Sequence, residues 1–220
     1  FESLQLRHLT RVSSFKLESL KDTTASLYII IPPEYLDSYR PYLRLMIGLA
    51  TAAMTRNQHK PEQSVLFLLD ELPALGYMRP IEDGIGYLAG YGAKLWLFVQ
   101  DLDQLQKTYP KARSIIANCA IRQAFNVQDP DTAKLLSEML GQTTIKMHSK
   151  GHSSPLPFKL LKGSFQQGVF EGGRPLMTPA EVMSMPQHKQ LIFIQNTSAI
   201  IARKIRYFDW WERKLRQKAD

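Results

Sequence analysis

The stretch Val65-Leu66-Phe67-Leu68-Leu69-Asp70-Glu71 decides how the rest of the sequence is interpreted. Its five apolar residues show no polar alternation, which predicts a strand covered by helices on both faces, as in a parallel sheet. Ligands of open α/β sheets bind beyond the carboxyl ends of the strands, so Asp70 and Glu71 are expected at the binding edge. A strand that ends in a solvated Asp-Glu turn is also common, and this stretch alone leaves both interpretations open.

A run of buried hydrophobic residues that ends in two acids is the pattern of a Walker B strand. In that pattern the first acid, Asp70, holds the Mg²⁺ of a nucleoside triphosphate through a water. The second acid, Glu71, orients or polarises the attacking water. On its own the pattern leaves nucleotide hydrolysis and a solvated Asp-Glu turn as alternatives.

Gln100 supports this interpretation from a second strand. It ends the next predicted strand, Leu95 to Val99, and so should lie near the end of the Asp70 strand. An amide there can touch both the γ-phosphate and the attacking water, which is the task of a sensor residue in motor ATPases. The alternative is that Gln100 caps the following helix, although Asp101 could serve equally well.

Strands and helices alternate along the first 145 residues. Strands are predicted over residues 25–31, 65–69, 95–99 and 121–127, with a helix from Tyr39 to Arg56 and another that begins at Asp129-Pro130-Asp131. This order predicts an α/β fold with a mostly parallel sheet, right-handed crossovers and helices on its faces. Residues 1–145 are expected to form part of one such domain.

The remaining residues are organised differently. Residues 146–173 are polar and rich in Gly, Ser and Pro, which predicts a long loop or flexible hairpin that could line a pore. Thr178-Pro179-Ala180-Glu181 predicts a capped helix, and the runs 191–194 and 199–205 predict a hairpin. A final basic helix, Asp209 to Lys218, with Trp210 and Trp211, would complete the same domain over residues 174–220. Its basic residues fit a solvated face or, alternatively, contact with DNA phosphates.

The composition of the chain limits the class of protein and the kinds of site that are possible. The chain has 220 residues, enough for one sizeable core, and its net charge of +8 permits a polyanionic partner without requiring one. Cys119 is the only cysteine, so no internal disulfide can form, and a buried structural thiol is expected. His148 and His152 have the spacing of metal ligands on a helix, but Ser149 and Gly151 disfavour a helix, and no structural metal is expected.

The segment Leu69-Asp70-Glu71-Leu72-Pro73-Ala74-Leu75-Gly76 resembles the Walker B segment of type IV secretion coupling proteins of the TraG/TraD type. Other short segments extend this resemblance over nearly the whole chain: Pro32-Pro33, Tyr39-Arg40-Pro41, Gly90-Tyr91-Gly92, Val99-Gln100-Asp101, Asn118-Cys119, Asp131-Thr132-Ala133, residues 173–179 and residues 202–207. Each segment is short, and the resemblance is specific in their combination.

The resemblance implies a RecA-like, FtsK-like motor ATPase that forms a hexameric ring at the cytoplasmic face of a bacterial inner membrane. Such a motor uses ATP and Mg²⁺ to pass relaxase–DNA complexes or protein substrates to a type IV secretion channel, and it contacts single- or double-stranded DNA. Asp70 would take the metal role, Glu71 the water-activating role and Gln100 the sensor role. The rival hypothesis is a non-catalytic module that docks a relaxase or a secretion component.

Two departures from the family pattern affect these expectations. The sequence has no G-x-x-x-x-G-K-[ST] loop, which the family places upstream, so the 220 residues alone are expected to bind nucleotide weakly and to be inactive. Some members also carry an arginine, proposed to reach a neighbouring subunit's nucleotide, where this chain has Ala89. Arg79, Lys94 and Arg122 remain alternative sources of that cation.

Overall fold

The computed structural model describes residues 10–151 and 166–206, with the backbone alone described for 146–151 and 166–171. By its internal contacts the chain divides into two compact units, Phe1–Arg122 and Gln123–Asp220. The predicted basic helix Asp209 to Lys218, with Trp210 and Trp211, lies outside the described residues, as does the central part of the predicted loop 146–173.

The described part of the first unit contains two strands and four α-helices. In chain order these are α1 (Leu36–Arg56), β1 (Val65–Leu69), α2 (Arg79–Gly84), β2 (Ala93–Leu97), α3 (Leu102–Thr108) and α4 (Ala112–Asn118). Short 3-10 turns lie at Leu17–Lys21, Pro33–Tyr35, Leu72–Leu75 and Leu88–Tyr91. The bounds of β1 are those predicted, while β2 begins and ends two residues earlier than predicted.

Strands β1 and β2 pair in parallel, with Val65 opposite Ala93 and Leu69 opposite Leu97. One face of this pair packs against the buried core, which includes Leu69 of β1. The opposite face is open, since Leu66 and Leu68 are each 54% exposed. The expectation of a strand covered on both faces is therefore wrong for the described residues, because none of them covers the second face.

Helix α1 begins three residues before the predicted start, because the 3-10 turn Pro33–Tyr35 leads directly into it. Pro41 consequently lies in the second turn instead of the first. Lys21 is buried, and its ammonium group donates hydrogen bonds to carbonyl groups at the other end of α1 and just beyond it: those of Met54, Asn57 and His59. These bonds fix the connection from α1 to β1.

The strand predicted over residues 25–31 is not formed. This segment forms neither a helix nor a strand and is largely exposed, with Tyr28 at 79% and Ile30 at 85% exposure. A β-branched apolar run becomes a strand only when a neighbouring strand supplies hydrogen bonds, and no described strand pairs with it.

In the described part of the second unit, each of the two helices is preceded and followed along the chain by strands. Its elements are β3 (Ile121–Ala124), which begins two residues before the unit boundary, α5 (Pro130–Leu140), β4 (Gln142–Gly151), β5 (Gln166–Pro175), α6 (Pro179–Met183), β6 (Lys189–Ile194) and β7 (Ile200–Arg203). Strands β4 and β5 form an antiparallel ribbon that includes both ends of the region 146–173 predicted as a loop or hairpin and extends beyond it, from Gln142 to Pro175. The predicted hairpin β6–β7 is confirmed, and it extends a sheet with the order β3-β6-β7.

The predicted helix starts are confirmed by their capping contacts. Asp129 accepts a hydrogen bond of 2.8 Å from the Thr132 amide at the start of α5. At α6, the Thr178 hydroxyl accepts from the Glu181 amide at 3.3 Å, and the Glu181 carboxylate accepts from the Thr178 amide at 2.7 Å. The expected α/β class is confirmed, with β1 and β2 paired in parallel and β4–β5 and β6–β7 paired antiparallel.

Among the described helices, none combines the length and the apolar character needed to cross a membrane.

Candidate functional site

The carboxyl ends of β1 and β2 are joined through Phe98. The Phe98 amide donates to the Leu69 carbonyl at 3.1 Å, and the Phe98 carbonyl accepts from the Leu72 amide at 2.9 Å. Asp70 and Glu71 are the two residues between Leu69 and Leu72, which both bond to Phe98. Gln100 follows Phe98 by two positions. The three side chains predicted from sequence lie at the same edge of the parallel pair.

Glu71 has an unusual backbone for a residue with a side chain. Its φ of 54° and ψ of 67° lie in the left-handed region, which costs about 1–2 kcal/mol for a non-glycine residue. Its Oε1 atom is buried and has no hydrogen-bond partner among the described residues. Strained backbone and unpaired buried polar atoms both occur preferentially at functional sites. Glu71 carries both features.

Contacts from two helices hold the turn after Glu71. The Ala74 amide donates to the Glu71 carbonyl at 3.0 Å, which closes the 3-10 turn. From α1, Arg40 Nε donates to the Ala74 carbonyl at 2.9 Å. The Tyr109 hydroxyl, just beyond α3, donates to the Gly76 carbonyl at 3.2 Å. Burial raises the pKa of Tyr109 to about 12, so this phenol remains a donor at physiological pH.

Arg40 and Tyr109 are positioning residues that the motif analysis did not assign. Both side chains donate hydrogen bonds to backbone carbonyl groups. Because every residue has such a carbonyl, the sequence does not show which one accepts. The resemblance of Tyr39-Arg40-Pro41 to the coupling-protein family was the available signal for Arg40. For Tyr109 the sequence offered no comparable signal.

The environments of Asp70 and Gln100 leave both side chains accessible. Both residues are exposed, and neither side chain has a hydrogen bond to any residue in the described ranges. The cap of α3 is Asp101, which accepts from the Gln104 amide at 2.8 Å. The alternative role of Gln100 as a helix cap is thus taken by its neighbour.

The three alternative cations have different surroundings. Arg79 forms an exposed ion pair with Asp83 at 3.1 Å, and this contact holds the pKa of the Asp83 carboxyl below its ordinary value. Lys94 is exposed on the open face of β2. The Nε atom of Arg122 is buried and has no partner within the described ranges. These contacts do not select one of the three.

Cys119 is half-buried at the end of α4. Its sulfur lies 3.3 Å from the Ile115 carbonyl, and burial raises the pKa of the thiol. A high pKa disfavours the reactive thiolate. These properties agree with the expected structural thiol.

No group of three or more His, Cys, Asp or Glu residues in the described part of the chain could hold a metal ion. Asp70 is an exposed carboxylate at this edge of the sheet. A Mg²⁺ ion in a phosphate site needs only one or two protein carboxylates, because waters and substrate oxygens supply its other ligands.

Comparison with known proteins gives the chain a family. A family model described as "Type IV secretory system Conjugative DNA transfer" matches residues 1–219. Conjugal transfer protein TraG of Escherichia coli is 30% identical over 197 residues, which are 84% of this chain and 31% of TraG. Protein VirD4 of Rhizobium rhizogenes is 26% identical over 212 residues, which are 94% of this chain and 31% of VirD4.

The fold resembles solved coupling proteins. The unbound bacterial conjugative coupling protein TrwBdeltaN70 superposes with a TM-score of 0.69 at 16% identity, over 87% of this chain and 44% of that one. TrwB in complex with ADP and Mg²⁺ superposes with a TM-score of 0.67 at 16% identity, over 87% and 43%. The chain thus spans less than half the length of each of these four proteins. From the family match over nearly all its residues, the chain belongs to the conjugative DNA transfer family of type IV secretory systems.

Proposed function

We propose that this chain carries the Walker B part of an ATP-driven coupling motor. In this proposal Asp70 holds Mg²⁺ through a water, Glu71 polarises the attacking water, and Gln100 contacts the γ-phosphate and that water. Mg²⁺ would neutralise charge on the phosphate oxygens. The observation that carries the proposal is the unpaired, buried Oε1 of Glu71, beside an exposed acid and amide at one strand edge.

The geometry of Glu71 fits a residue that acts on a water. A buried carboxylate oxygen without a partner is costly unless a bound group completes its hydrogen bonds. The Arg40 and Tyr109 contacts hold the adjacent turn, so the carboxylate is oriented before any ligand arrives. Solved TrwB structures contain an ATP analogue or ADP with Mg²⁺, and the same ligands are proposed for the parent of this chain.

The proposed task of the parent protein is to pass relaxase–DNA complexes or protein substrates to a type IV secretion channel. The family match supports DNA and secretion components as partners, and the net charge of +8 suits a polyanion. A homo-hexameric ring at the cytoplasmic face of the inner membrane is part of the same proposal. The missing phosphate-binding loop would come from the part of the parent outside these residues.

The test is the Glu71→Gln variant of the full-length parent. We expect its ATP turnover to fall by about 10²–10⁴-fold, since the amide cannot take up a proton from the water. ATP binding should survive, because Asp70 and the phosphate-binding loop are unchanged. Steady-state hydrolysis and equilibrium binding of a fluorescent nucleotide measure the two properties separately.

Glu62→Gln is the matched control, because Glu62 is an exposed acid just before β1. It should hydrolyse ATP like the unmodified protein. Unchanged turnover in Glu71→Gln would reject the water-activating role and favour the rival, a docking module that uses these acids only as polar residues at the end of the strand.

A further inference from the structure

Glu82 is a buried acid on α2 that joins two neighbouring segments of the chain. The residue is 7% exposed, and both of its carboxylate oxygens accept hydrogen bonds. Oε2 accepts from the Tyr77 hydroxyl at 3.0 Å, and Oε1 accepts from the Lys111 amide at 2.8 Å. Tyr77 comes shortly after the 3-10 turn that follows Glu71, and Lys111 directly precedes α4. Glu82 therefore connects the segment after the candidate site to the start of α4.

A second hydrogen bond joins the same two segments. The Tyr109 hydroxyl donates to the Gly76 carbonyl at 3.2 Å, and Gly76 precedes Tyr77 in the chain. The aromatic rings of Tyr77 and Tyr109 also contact each other, with centroids 5.7 Å apart. We define the Glu82 network as Gly76, Tyr77, Glu82, Tyr109 and Lys111. Its hydrogen bonds form a closed circuit, so neither segment can shift without breaking at least one of them.

A carboxylate is a costly side chain to bury at this position. A buried charge needs hydrogen bonds or an opposite charge to compensate for the water it has lost. The side-chain cations of Arg79 and Lys111 contact Asp83, at 3.1 Å and 3.4 Å. Glu82 is instead bonded to a phenol and a backbone amide, and hydrogen bonds fix direction more strictly than an ion pair does. The bond to Glu82 raises the pKa of the Tyr77 phenol, so Tyr77 remains a donor at physiological pH.

We propose that Glu82 is a positioning residue for hydrolysis, which fixes the segment after Glu71 and thereby orients the Glu71 carboxylate. The inference rests on the proposed function, because Glu82 itself performs no chemistry in it. The connection is short, since the 3-10 turn Leu72–Leu75 alone separates Glu71 from Gly76 of the Glu82 network. The left-handed backbone of Glu71 persists only when its surroundings hold it. A displacement of about 1 Å at a reacting group can cost about 10²-fold in rate.

The test compares Glu82→Gln and Tyr77→Phe in the full-length parent. Glu82→Gln keeps the shape of the side chain but has one acceptor oxygen instead of two, and Tyr77→Phe removes only the hydroxyl group. We expect each variant to lower ATP turnover by about 10–10²-fold and to leave nucleotide binding unchanged. Single-turnover hydrolysis of radiolabelled ATP and equilibrium binding of a fluorescent nucleotide measure the two properties. Glu62→Gln is the same substitution at an exposed site, and it should hydrolyse ATP like the unmodified protein.

A double variant separates positioning from a general loss of structure. If Glu82 acts through Glu71, adding Glu82→Gln to Glu71→Gln should lower the rate no further than Glu71→Gln alone. Losses that multiply would overturn the inference, as would unmodified turnover in either single variant or the loss of nucleotide binding in both. Unmodified turnover in Glu71→Gln would instead reject the proposed function. Reduced turnover in Glu71→Gln together with unmodified turnover in Glu82→Gln would reject the positioning role alone.

Discussion

Gly92 is a residue whose identity is fixed by two independent constraints. Its φ of 78° lies in the left-handed region, and a Cβ atom at this position would lie 2.4 Å from Cδ of Pro61. Its carbonyl also accepts from the Val65 amide at 2.8 Å, which joins the start of β1 to the start of β2. A side chain here would disturb the strand pair that leads to the candidate site.

We expect Gly92→Ala to lower the free energy of unfolding by about 2–4 kcal/mol, the sum of the left-handed backbone cost and the steric overlap. Urea denaturation followed by circular dichroism measures this. Gly90→Ala is the matched control, since its Cβ would meet nothing within 4 Å; it should change stability by less than about 1 kcal/mol. Equal effects of the two substitutions would contradict the steric account.

For single residues, the sequence predicted which side chains lie at the edge of the strand pair, but not how their backbone is held. Asp70, Glu71 and Gln100 follow strand ends, and parallel strand ends meet at one edge, so their proximity could be predicted. The left-handed backbone of Glu71 could not be, because glutamate has no preference for that region. The contacts of Arg40 and Tyr109 are equally hidden, since they join residues 34 and 33 positions apart in sequence.

Among the elements, α5 shows how one carboxylate stabilises a helix start. Asp129 accepts from the Thr132 hydroxyl at 2.6 Å and from the Thr132 amide at 2.8 Å. These two hydrogen bonds hold the pKa of the Asp129 carboxyl below its ordinary value near 3.8. A lowered pKa in the folded state means that the charged form stabilises the fold above pH 3.8 and that this contribution is lost as the pH falls through the folded value.

The Asp129→Asn variant tests this account, since asparagine also caps helices but carries no charge. We expect the unmodified chain to have the higher urea midpoint at neutral pH, and the difference to shrink as the pH falls below about 4. Urea titrations from pH 7 to pH 3 measure it. A difference that stays constant over this range would show that the charge of Asp129 does not contribute.

Local signals predicted the helices better than the strands. Asp129 and Thr178 cap their helices as expected because a cap involves residues only three positions apart. The strand expected over residues 25–31 did not form, and β2 ended two residues early, because pairing depends on distant neighbours. Apolar character alone indicated where a strand could form, not whether a partner was present.

For the whole molecule, the central prediction is that these 220 residues do not hydrolyse ATP. They hold the acids and the amide, but the sequence contains no glycine-rich loop with a lysine for the β- and γ-phosphates. We expect turnover at the background rate and weak nucleotide binding in a phosphate-release assay and a calorimetric titration. Robust turnover by the chain alone would overturn the assignment of the phosphate contacts to another part of the parent.

The fold class could be predicted because strands and helices alternate along the chain. The extent of the sheet could not, because the apolar runs at residues 65–69 and 25–31 are alike in character. Of these two runs, Val65–Leu69 pairs as a strand and residues 25–31 do not. The pattern of apolar residues shows which side chains of a segment can be buried. The structure shows whether another strand or helix packs against them.

Cys119 has a practical consequence for studies of motion. Its thiol is half-buried against the last turn of α4, and its raised pKa keeps it protonated at neutral pH. A thiol-directed dye would therefore react mainly when that turn opens, so the labelling rate measures the frequency of local unfolding between α4 and β3. Because Cys119 is the only cysteine among these 220 residues, the measurement needs no engineered cysteine within them.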